Sequence, residues 1–481
     1  MQRIACVAVV MTVLVAGSCA PDNPPPPLPP VVEGFANVLV TTGDGSKLLV
    51  DEPRVALTAA PAAGDVVIDV DRSARYQTMD GVGAAMTESS AHVISTRLDA
   101  TTRTQVVNDL FGPRGAHMSA VRIPLSSTDF SLTDHTYDDV AAPGTDPELA
   151  GLSLAVDDAE VVPLLRAAAA VNPDLFLMGS PWTAPGWMKV GNSTDRAGVI
   201  GGTLAPDMVG TYAAYLRRVV TGYRDRGLPL DAITLQNEPA HVSGNYAGML
   251  LSSSQEADLA VAVDAELRAA GASTDIVVHD HNWNRSDRAL EVLGDPEASP
   301  VIAGSAFHCY NGSPDAQTAV HDAFPAKDVY FTECTGTETS GTFESNLLWN
   351  ARVLFVGATR NWAKTVLLWN LALDETGGPR VGGCSSCRGV LTIHSDGHVT
   401  RNEEFYALAQ FGRGVDAGAV RLGSSAASGG VSNVAFENPD GTTAVLLTST
   451  SSTATTVAIG DGDRSMVVTV PARSVVTVRW R

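Results

Sequence analysis

Two glutamates close two apolar strands in this sequence. The first stretch is Ile233-Thr234-Leu235-Gln236-Asn237-Glu238-Pro239. Ala232 to Leu235 read as a buried strand, and Pro239 stops the ladder because it has no N–H to give. The second stretch is Val329-Tyr330-Phe331-Thr332-Glu333-Cys334. A reactive side chain at the C-terminal end of an inner, apolar strand is how a parallel α/β barrel presents chemistry. Two carboxyls facing each other across one pocket are what glycoside hydrolysis needs. A retaining hydrolase sets them about 5 Å apart, one as nucleophile and the other as acid and then base. On strands four and seven of an eight-stranded barrel, Glu238 and Glu333 converge over the mouth from opposite sides. Such chemistry needs no cofactor and no metal, and none is expected here.

Other strand ends carry matching groups. They supply Glu88; Arg122 with Ser126, Ser127 and Asp129; Ser180 and Trp182; Asp280, His281, Asn282 and Trp283; His308 and Tyr310; and Trp369 with Asn370. Carboxylates, amides and flat aromatic rings together suit a sugar. Its hydroxyls take paired hydrogen bonds, and the C–H face of a pyranose stacks on an indole. Arg122 has a plainer reading too, as the ion-pair partner that keeps Glu238 or Glu333 ionised.

The elements that must position these residues follow the βα alternation of a (β/α)8 TIM barrel. Candidate strands cover 78–86, 118–125, 175–182, 232–239, 275–283, 302–310, 329–336 and 365–373. Helical periodicity is plain in Met208 to Arg226, stopped by Gly227, and in Ala257 to Ala270, stopped by Gly271. Before residue 77 and after about residue 412 the pattern is short strands with Gly, Asp and Ser turns. The later strands are too few to close a sheet pair alone. The expected organisation is therefore an accessory β-sandwich formed from both chain ends, from 35–76 and 413–481, around a barrel at 77–412.

The chain has 481 residues and a net charge of −21. That charge argues against nucleic acid or anionic lipid as a partner and suits a neutral carbohydrate or glycolipid. A monomer is expected. Met1 to Cys19 reads as an export signal: a basic start, an apolar run too short to span a bilayer, then Ala16-Gly17-Ser18-Cys19. Those last residues resemble a bacterial lipoprotein box with Cys19 as the lipidated residue; cleavage and ordinary secretion is the alternative. A proline-rich spacer follows, within 20–34. The four remaining cysteines, Cys309, Cys334, Cys384 and Cys387, read as two disulfides in an exported chain. Cys309 and Cys334 end neighbouring strands, and Cys384 with Cys387 closes a small loop.

These strand ends resemble glycoside hydrolase family 30, which includes glucosylceramidases and endo-β-1,6-glucanases. The pieces that carry the resemblance are Asp80-Gly81-Val82-Gly83-Ala84-Ala85-Met86-Thr87, Val121-Arg122-Ile123-Pro124, Ser180-Pro181-Trp182-Thr183-Ala184-Pro185, Leu235-Gln236-Asn237-Glu238-Pro239, Phe307-His308-Cys309-Tyr310, Phe331-Thr332-Glu333 and Leu368-Trp369-Asn370-Leu371-Ala372-Leu373. The resemblance implies this barrel with its side sandwich. It implies Glu238 as acid/base and Glu333 as nucleophile. Trp182, Asn237, Trp369 and Asn370 would bind the sugar, with Arg122, His308 and Tyr310 around the carboxylates. Glu88, standing where the family has Asp, would be a further sugar ligand. The stretch Gly382 to Val390 looks more like the β-1,6-glucanase branch than the animal glucosylceramidases. The expected activity is a retaining endo-β-1,6-glucanase, with glucosylceramidase as the alternative. A non-catalytic carbohydrate-binding barrel is the reading from another class, and the presence of both glutamates counts against it. The acid/base role predicts a Glu238 carboxyl raised above its ordinary pKa by the charge of Glu333.

Overall fold

The computed structural model describes residues 29–481 apart from 60, 142, 192–197 and 340. The expected leader, with Cys19, and most of the proline spacer lie outside the described residues. Among the described residues, no helix is long and apolar enough to cross a membrane.

Eight parallel strands close a barrel. They are β1 (Gly81–Ala85), β2 (Ala120–Leu125), β3 (Phe176–Pro181), β4 (Ala232–Thr234), β5 (Asp275–Asn282), β6 (Gly304–His308), β7 (Asp328–Glu333) and β8 (Ala363–Leu368). Each pairs with its neighbours in sequence, and β8 closes onto β1. All eight expected strands are present. The fourth is shorter than the expected 232–239: ladder pairing ends at Thr234, and the chain then bends through Leu235 to Glu238. The expected helices are Val209–Asp225 and Ser253–Ala269. The second starts on a capping box, Ser252 with Gln255, so its first free N–H groups have partners.

The barrel interior is layered. Met178, Ala232, Val277, Ala306 and Tyr330 form an apolar layer from β3 to β7. One pleat further along, alternate residues point inward again: Ser180, Thr234, His308 and Thr332, all fully buried. On β5 the step from Val277 is three residues rather than two. His279 and Asp280 take left-handed backbone angles, φ 76° and 39°, and the pairing of β5 with β6 shifts register between Val278 and His281. This bulge inserts one residue and turns Asp280 into the barrel in place of His279.

The chain ends form one nine-stranded sheet. Phe35–Thr42 runs antiparallel to the last strand, Ser474–Trp480, and the long strand Val66–Thr78 pairs with Val420–Ser424 and Thr455–Asp461. The sheet rolls over a shared core of Val38, Val40, Ile68, Leu447, Ile459 and Trp480. A bridge between Thr58 and Ser465 draws its two edges together. The sandwich is therefore a rolled sheet split around the barrel, built from both ends as expected.

Candidate active site

The C-terminal mouth of the barrel gathers the strand-end groups around one arginine. Arg122, on β2, is fully buried. Its Nη1 donates to Glu333 Oε2 at 2.5 Å. Its Nη2 donates to Asp280 Oδ2 at 2.8 Å and faces Asn237 Oδ1 at 2.8 Å and Ser180 Oγ at 2.9 Å. The guanidinium carbon lies 5.5 Å from the centre of the Trp369 ring. Burial works against this charge, but Asp280 and Glu333 outweigh it and raise the Arg122 pKa. Of the two glutamates, Arg122 pairs with Glu333.

Asp280 is the centre that sequence reasoning noted at a strand end but gave no role. Its Oδ1 accepts from Thr332 Oγ1 at 2.7 Å and meets His308 Nε2 at 2.9 Å. Its Oδ2 accepts from Arg122, from Ser180 Oγ at 2.8 Å and from Thr234 Oγ1 at 2.9 Å. Burial alone would raise this carboxyl. Arg122 and His308 hold it well below the usual carboxylate range.

Glu238 reaches the mouth through a strained turn. Its φ is 43°, left-handed for a residue with a side chain. Two backbone bonds hold the turn: Asn237 N–H to Pro181 O at 2.7 Å, and Glu238 N–H to Asp280 O at 3.0 Å. The carboxylate Oε1 lies 3.1 Å from His308 Nδ1 and 3.6 Å from His281 Nδ1. Glu333 Oε1 accepts from Tyr310 O–H at 2.8 Å and lies 4.0 Å from His308 Nδ1. One ligand atom each from Glu238, His308 and Glu333 fall within 4.8 Å of one another. Such a trio resembles a metal site in composition. Here His308 faces a carboxylate at each nitrogen, and the carboxylates around it raise its pKa to about 10, though burial would lower it.

The expected rise of the Glu238 carboxyl is overturned. Burial does push it up. The hydrogen bonds and positive charge of His281 and His308 outweigh burial, and the carboxyl is held below its ordinary value.

The aromatics expected at the sugar site lie together. Trp182 and Trp369 stack at 5.3 Å, and Tyr246 meets the Trp182 ring edge-on at 5.9 Å. Asn237 spends its carbonyl oxygen on Arg122. Asn370 accepts from Thr87 Oγ1 at 2.9 Å, while its Nδ2 is buried without a partner. Trp182 Nε1 is also buried and unpartnered. Glu88 lies at a helix start. It opens the helix Glu88–Arg97, and its carboxylate accepts the Leu132 N–H at 3.1 Å rather than joining the pair. A different carboxyl, Asp129, supplies an acid in this region. It is buried with Oδ1 unpartnered, and burial with the charge of Glu333 raises it well above the usual carboxylate range. Phe130, beside it, belongs to the cluster that holds Trp182 and Trp369. The only sequence signal for Asp129 was its place four residues past a barrel strand.

Both expected disulfides form. Cys309–Cys334 joins the residues just after His308 and Glu333, tying β6 to β7 beside the carboxylates. Cys384–Cys387 closes a loop that packs on the pocket wall. Gly383 lies so close to Asp129 that a β-carbon there would stand 2.3 Å from its Oδ2. Gly382 likewise abuts the Asn245 carbonyl, where a β-carbon would stand 2.2 Å from the oxygen.

Comparison with known proteins agrees with this geometry. Residues 79–415 match the glycosyl hydrolase family 30 TIM-barrel domain, and residues 418–478 match the glycosyl hydrolase family 30 beta sandwich domain. The endo-1,6-beta-D-glucanase BGN16.3 of Trichoderma harzianum is 32% identical over 409 residues, 81% of this chain and 81% of that protein. The putative glucosylceramidase 2 of Caenorhabditis elegans is 27% identical over 435 residues, 87% of this chain and 83% of that one. Among solved structures, the endo-beta1,6-glucanase BT3312 superposes with a TM-score of 0.84 at 30% identity, covering 92% of this chain and 99% of its own.

Proposed function

The chain belongs to glycosyl hydrolase family 30 and is a glycoside hydrolase, and from that premise we propose that it is a retaining endo-β-1,6-glucanase working by double displacement. The observation that carries the retaining mechanism is the approach of the two glutamates: one carboxylate oxygen from each lies within 4.8 Å. Retaining enzymes hold their carboxyls at about this separation, and inverting ones leave room for a water between them. In this reading Glu333 attacks the anomeric carbon. Arg122 and the Tyr310 hydroxyl hold one Glu333 oxygen each and aim the carboxylate. Glu238 protonates the departing oxygen and then activates water. Trp182 and Trp369 take the sugar face. The unpartnered Trp182 Nε1, Asn370 Nδ2 and Asp129 Oδ1 meet its hydroxyls, since buried polar atoms need partners.

The β-1,6 linkage is supported by the relatives named endo-1,6-β-glucanases, which are 30–32% identical, against 27% for the glucosylceramidase above. Glucosylceramide is the second reading. Turnover of β-1,6-glucan, glucosylceramide and an aryl β-glucoside, with NMR of the first-formed anomer, tests both points. The expected result is fastest cleavage of β-1,6-glucan into internal fragments, with a β product. A first-formed α sugar would exclude the assignment of Glu333 as nucleophile. Lipidation at Cys19 is proposed for the leader on its sequence alone. It predicts that Cys19→Ser blocks processing or releases the protein from membranes.

A further inference from the structure

One imidazole is gripped by two carboxylates. His308 Nε2 lies 2.9 Å from Asp280 Oδ1, and Nδ1 lies 3.1 Å from Glu238 Oε1. The ring is fully buried. A neutral imidazole carries one N–H and one lone pair. In either neutral tautomer, one lone pair would face a carboxylate oxygen unless that carboxyl held a proton. Asp280 is a poor place for it, because four further donors already address its two oxygens. Two arrangements then satisfy both contacts. In one, an imidazolium donates to two carboxylates. In the other, a neutral ring donates from Nε2 to Asp280 and accepts at Nδ1 from a protonated Glu238. They differ only in where one proton sits along the Nδ1–Oε1 line.

We propose that His308, fixed by Asp280, stores the proton of the hydrolysis on Nδ1 in the resting enzyme and passes it through Glu238 to the leaving oxygen. This rests on the reading of Glu238 as acid/base. The steps balance. In the first, the proton moves from Nδ1 to Glu238 Oε1 and on to the departing glycosidic oxygen. The bond from C1 to that oxygen breaks, and the bond from Glu333 to C1 forms. His308 is left neutral, Glu238 ionised and Glu333 esterified. In the second, water attacks C1 and gives its proton to Glu238, which returns it to Nδ1 as the Glu333 carboxylate departs. One water is consumed, and the three side chains end as they began.

The surroundings fit a stored proton. Asp280 approaches the ring from β5, Glu238 from the turn after β4, and Glu333 from β7, 4.0 Å from Nδ1. Thr332, on β7, is neutral and bonds Asp280 rather than the ring. The cation nearby is Arg122, bound to Asp280 and Glu333, and the His281 ring faces Glu238 at 3.6 Å. The His279 ring packs against His281 at 6.1 Å. Tyr310 meets the His308 ring edge-on at 6.3 Å and directs its hydroxyl to Glu333. Carboxylates outnumber cations around the ring, and its pKa is raised to about 10 although burial opposes the charge. The same charge explains a Glu238 that rests ionised yet works as an acid. His308 touches no substrate in this scheme and acts through Glu238, so it is a positioning residue.

The test is the pH dependence of kcat/KM for His308→Gln, on an alkyl β-glucoside and on 2,4-dinitrophenyl β-glucoside. The expected wild-type basic limb on the alkyl substrate lies above pH 8. In the variant it moves at least one pH unit toward acid. At pH 8 the variant loses at least tenfold more on the alkyl glucoside than on the dinitrophenyl one, because only the first needs the proton. Were Glu238 the sole store, removing its neighbouring cation would raise its pKa, and the limb would stay or move to higher pH. That outcome overturns the proposal. Nitrogen-15 NMR of histidine-labelled wild type decides it without a variant. Both His308 nitrogens should be protonated at pH 7.5, and a neutral ring overturns the proposal as well. Azide rescue of Glu238→Ala reports separately on the acid/base assignment. Rescue with an unmoved limb removes the relay alone, and failure of rescue removes the assignment with it.

Discussion

The catalytic mouth and the base of this barrel carry the same kinds of residue, yet the carboxyls at their centres, Asp280 and Asp80, hold protons differently. At the C-terminal mouth, Asp280, Glu333 and Glu238 sit among Arg122 and His308. At the N-terminal end, Asp80 and Asp328 pair with Lys364, and Asp231 and Asp275 lie among them. The Lys364 Nζ lies 2.8 Å from Asp328 and 3.3 Å from Asp80. Asp280 receives five donors, and its carboxyl is depressed. Asp80 is two-thirds or more withdrawn from water with little beyond Lys364 to compensate. Burial raises it to about 6 against the pull of that lysine. Asp231 and Asp275 are raised as well, again mainly by burial. The positive charges of Arg122 and His308 beside Asp280, with the hydrogen bonds it accepts, outweigh burial there, whereas burial outweighs Lys364 at Asp80. At the mouth, Asp280 keeps its charge among its donors while Asp129, buried with Oδ1 unpartnered, takes up a proton more readily, as do Asp80, Asp231 and Asp275 at the base.

The largest effect should come from removing the nucleophile. Glu333→Gln should lower kcat/KM by roughly 10⁴-fold or more on every β-glucoside, good leaving group or poor. Azide should revive Glu333→Gly and yield the α-glycosyl azide. Under the same treatment Glu238→Ala should yield the β-glycosyl azide. If both variants gave the same anomer, the division of labour at the mouth would be wrong.

A smaller loss should separate the two ends by their cations. Arg122 spreads one guanidinium over Glu333, Asp280, Ser180 and Asn237. A lysine amine cannot reproduce that fork. Arg122→Lys should cost about 10²-fold in kcat/KM, and a Tm drop of several degrees should follow from the broken buried pairs. Lys364→Arg, at the other end, should change kcat/KM less than twofold. A comparable loss in both would mean the lower cluster is coupled to catalysis.

How much of this was legible in sequence depends on whether period and pattern carried the information. The eight strands, Glu238, Glu333 and the Trp182–Trp369 pair announced themselves as polar or aromatic residues closing apolar runs. Both disulfides followed from neighbouring strand ends and a short loop. Asp280 stood in plain view but received no role. Strict alternation from Val277 puts His279 inside the barrel, and only the bulge at His279–Asp280 reverses that. The charge state of Glu238 was misjudged because the sequence showed the like charge of Glu333 and not the positions of two imidazoles. Glu88 was assigned to the sugar by motif, and its hydrogen bond from the Leu132 N–H was not legible in the sequence. Asp129 was noted past the end of the second strand but given no role, and its close approach to Gly383 is a loop contact that no period announces.

The disulfides sharpen the contrast within the mouth itself. Cys384–Cys387 closes the loop in which Gly383 stands against Asp129. The double substitution Cys384→Ser with Cys387→Ser should raise KM by about three- to tenfold through lost preorganisation, with kcat changed much less. A kcat loss as large as the KM change would place the loop in the chemical step.

The smallest effect lies at the lower end and tests the comparison by pH. A carboxyl whose folded pKa exceeds its unfolded one binds more protons in the native state between the two values, so stability falls as pH rises through that window. For Asp80 the window runs from its ordinary 3.8 to about 6, set by burial against Lys364. The raised imidazole of His308 has a different window. Its contribution is complete below its ordinary 6.5 and is lost only as pH climbs toward about 10. Asp80→Asn should therefore remove part of the acid-side slope and leave the alkaline side alone. Asp231 and Asp275 keep the rest of that slope. The difference in Tm, variant minus wild type, should grow by about 1–3 °C between pH 4 and pH 7 and stay level from pH 7 to 8. A difference that is flat from pH 4 to 7 would show that Asp80 is not raised. The contrast between Asp280 and Asp80 would then rest on Asp280 alone.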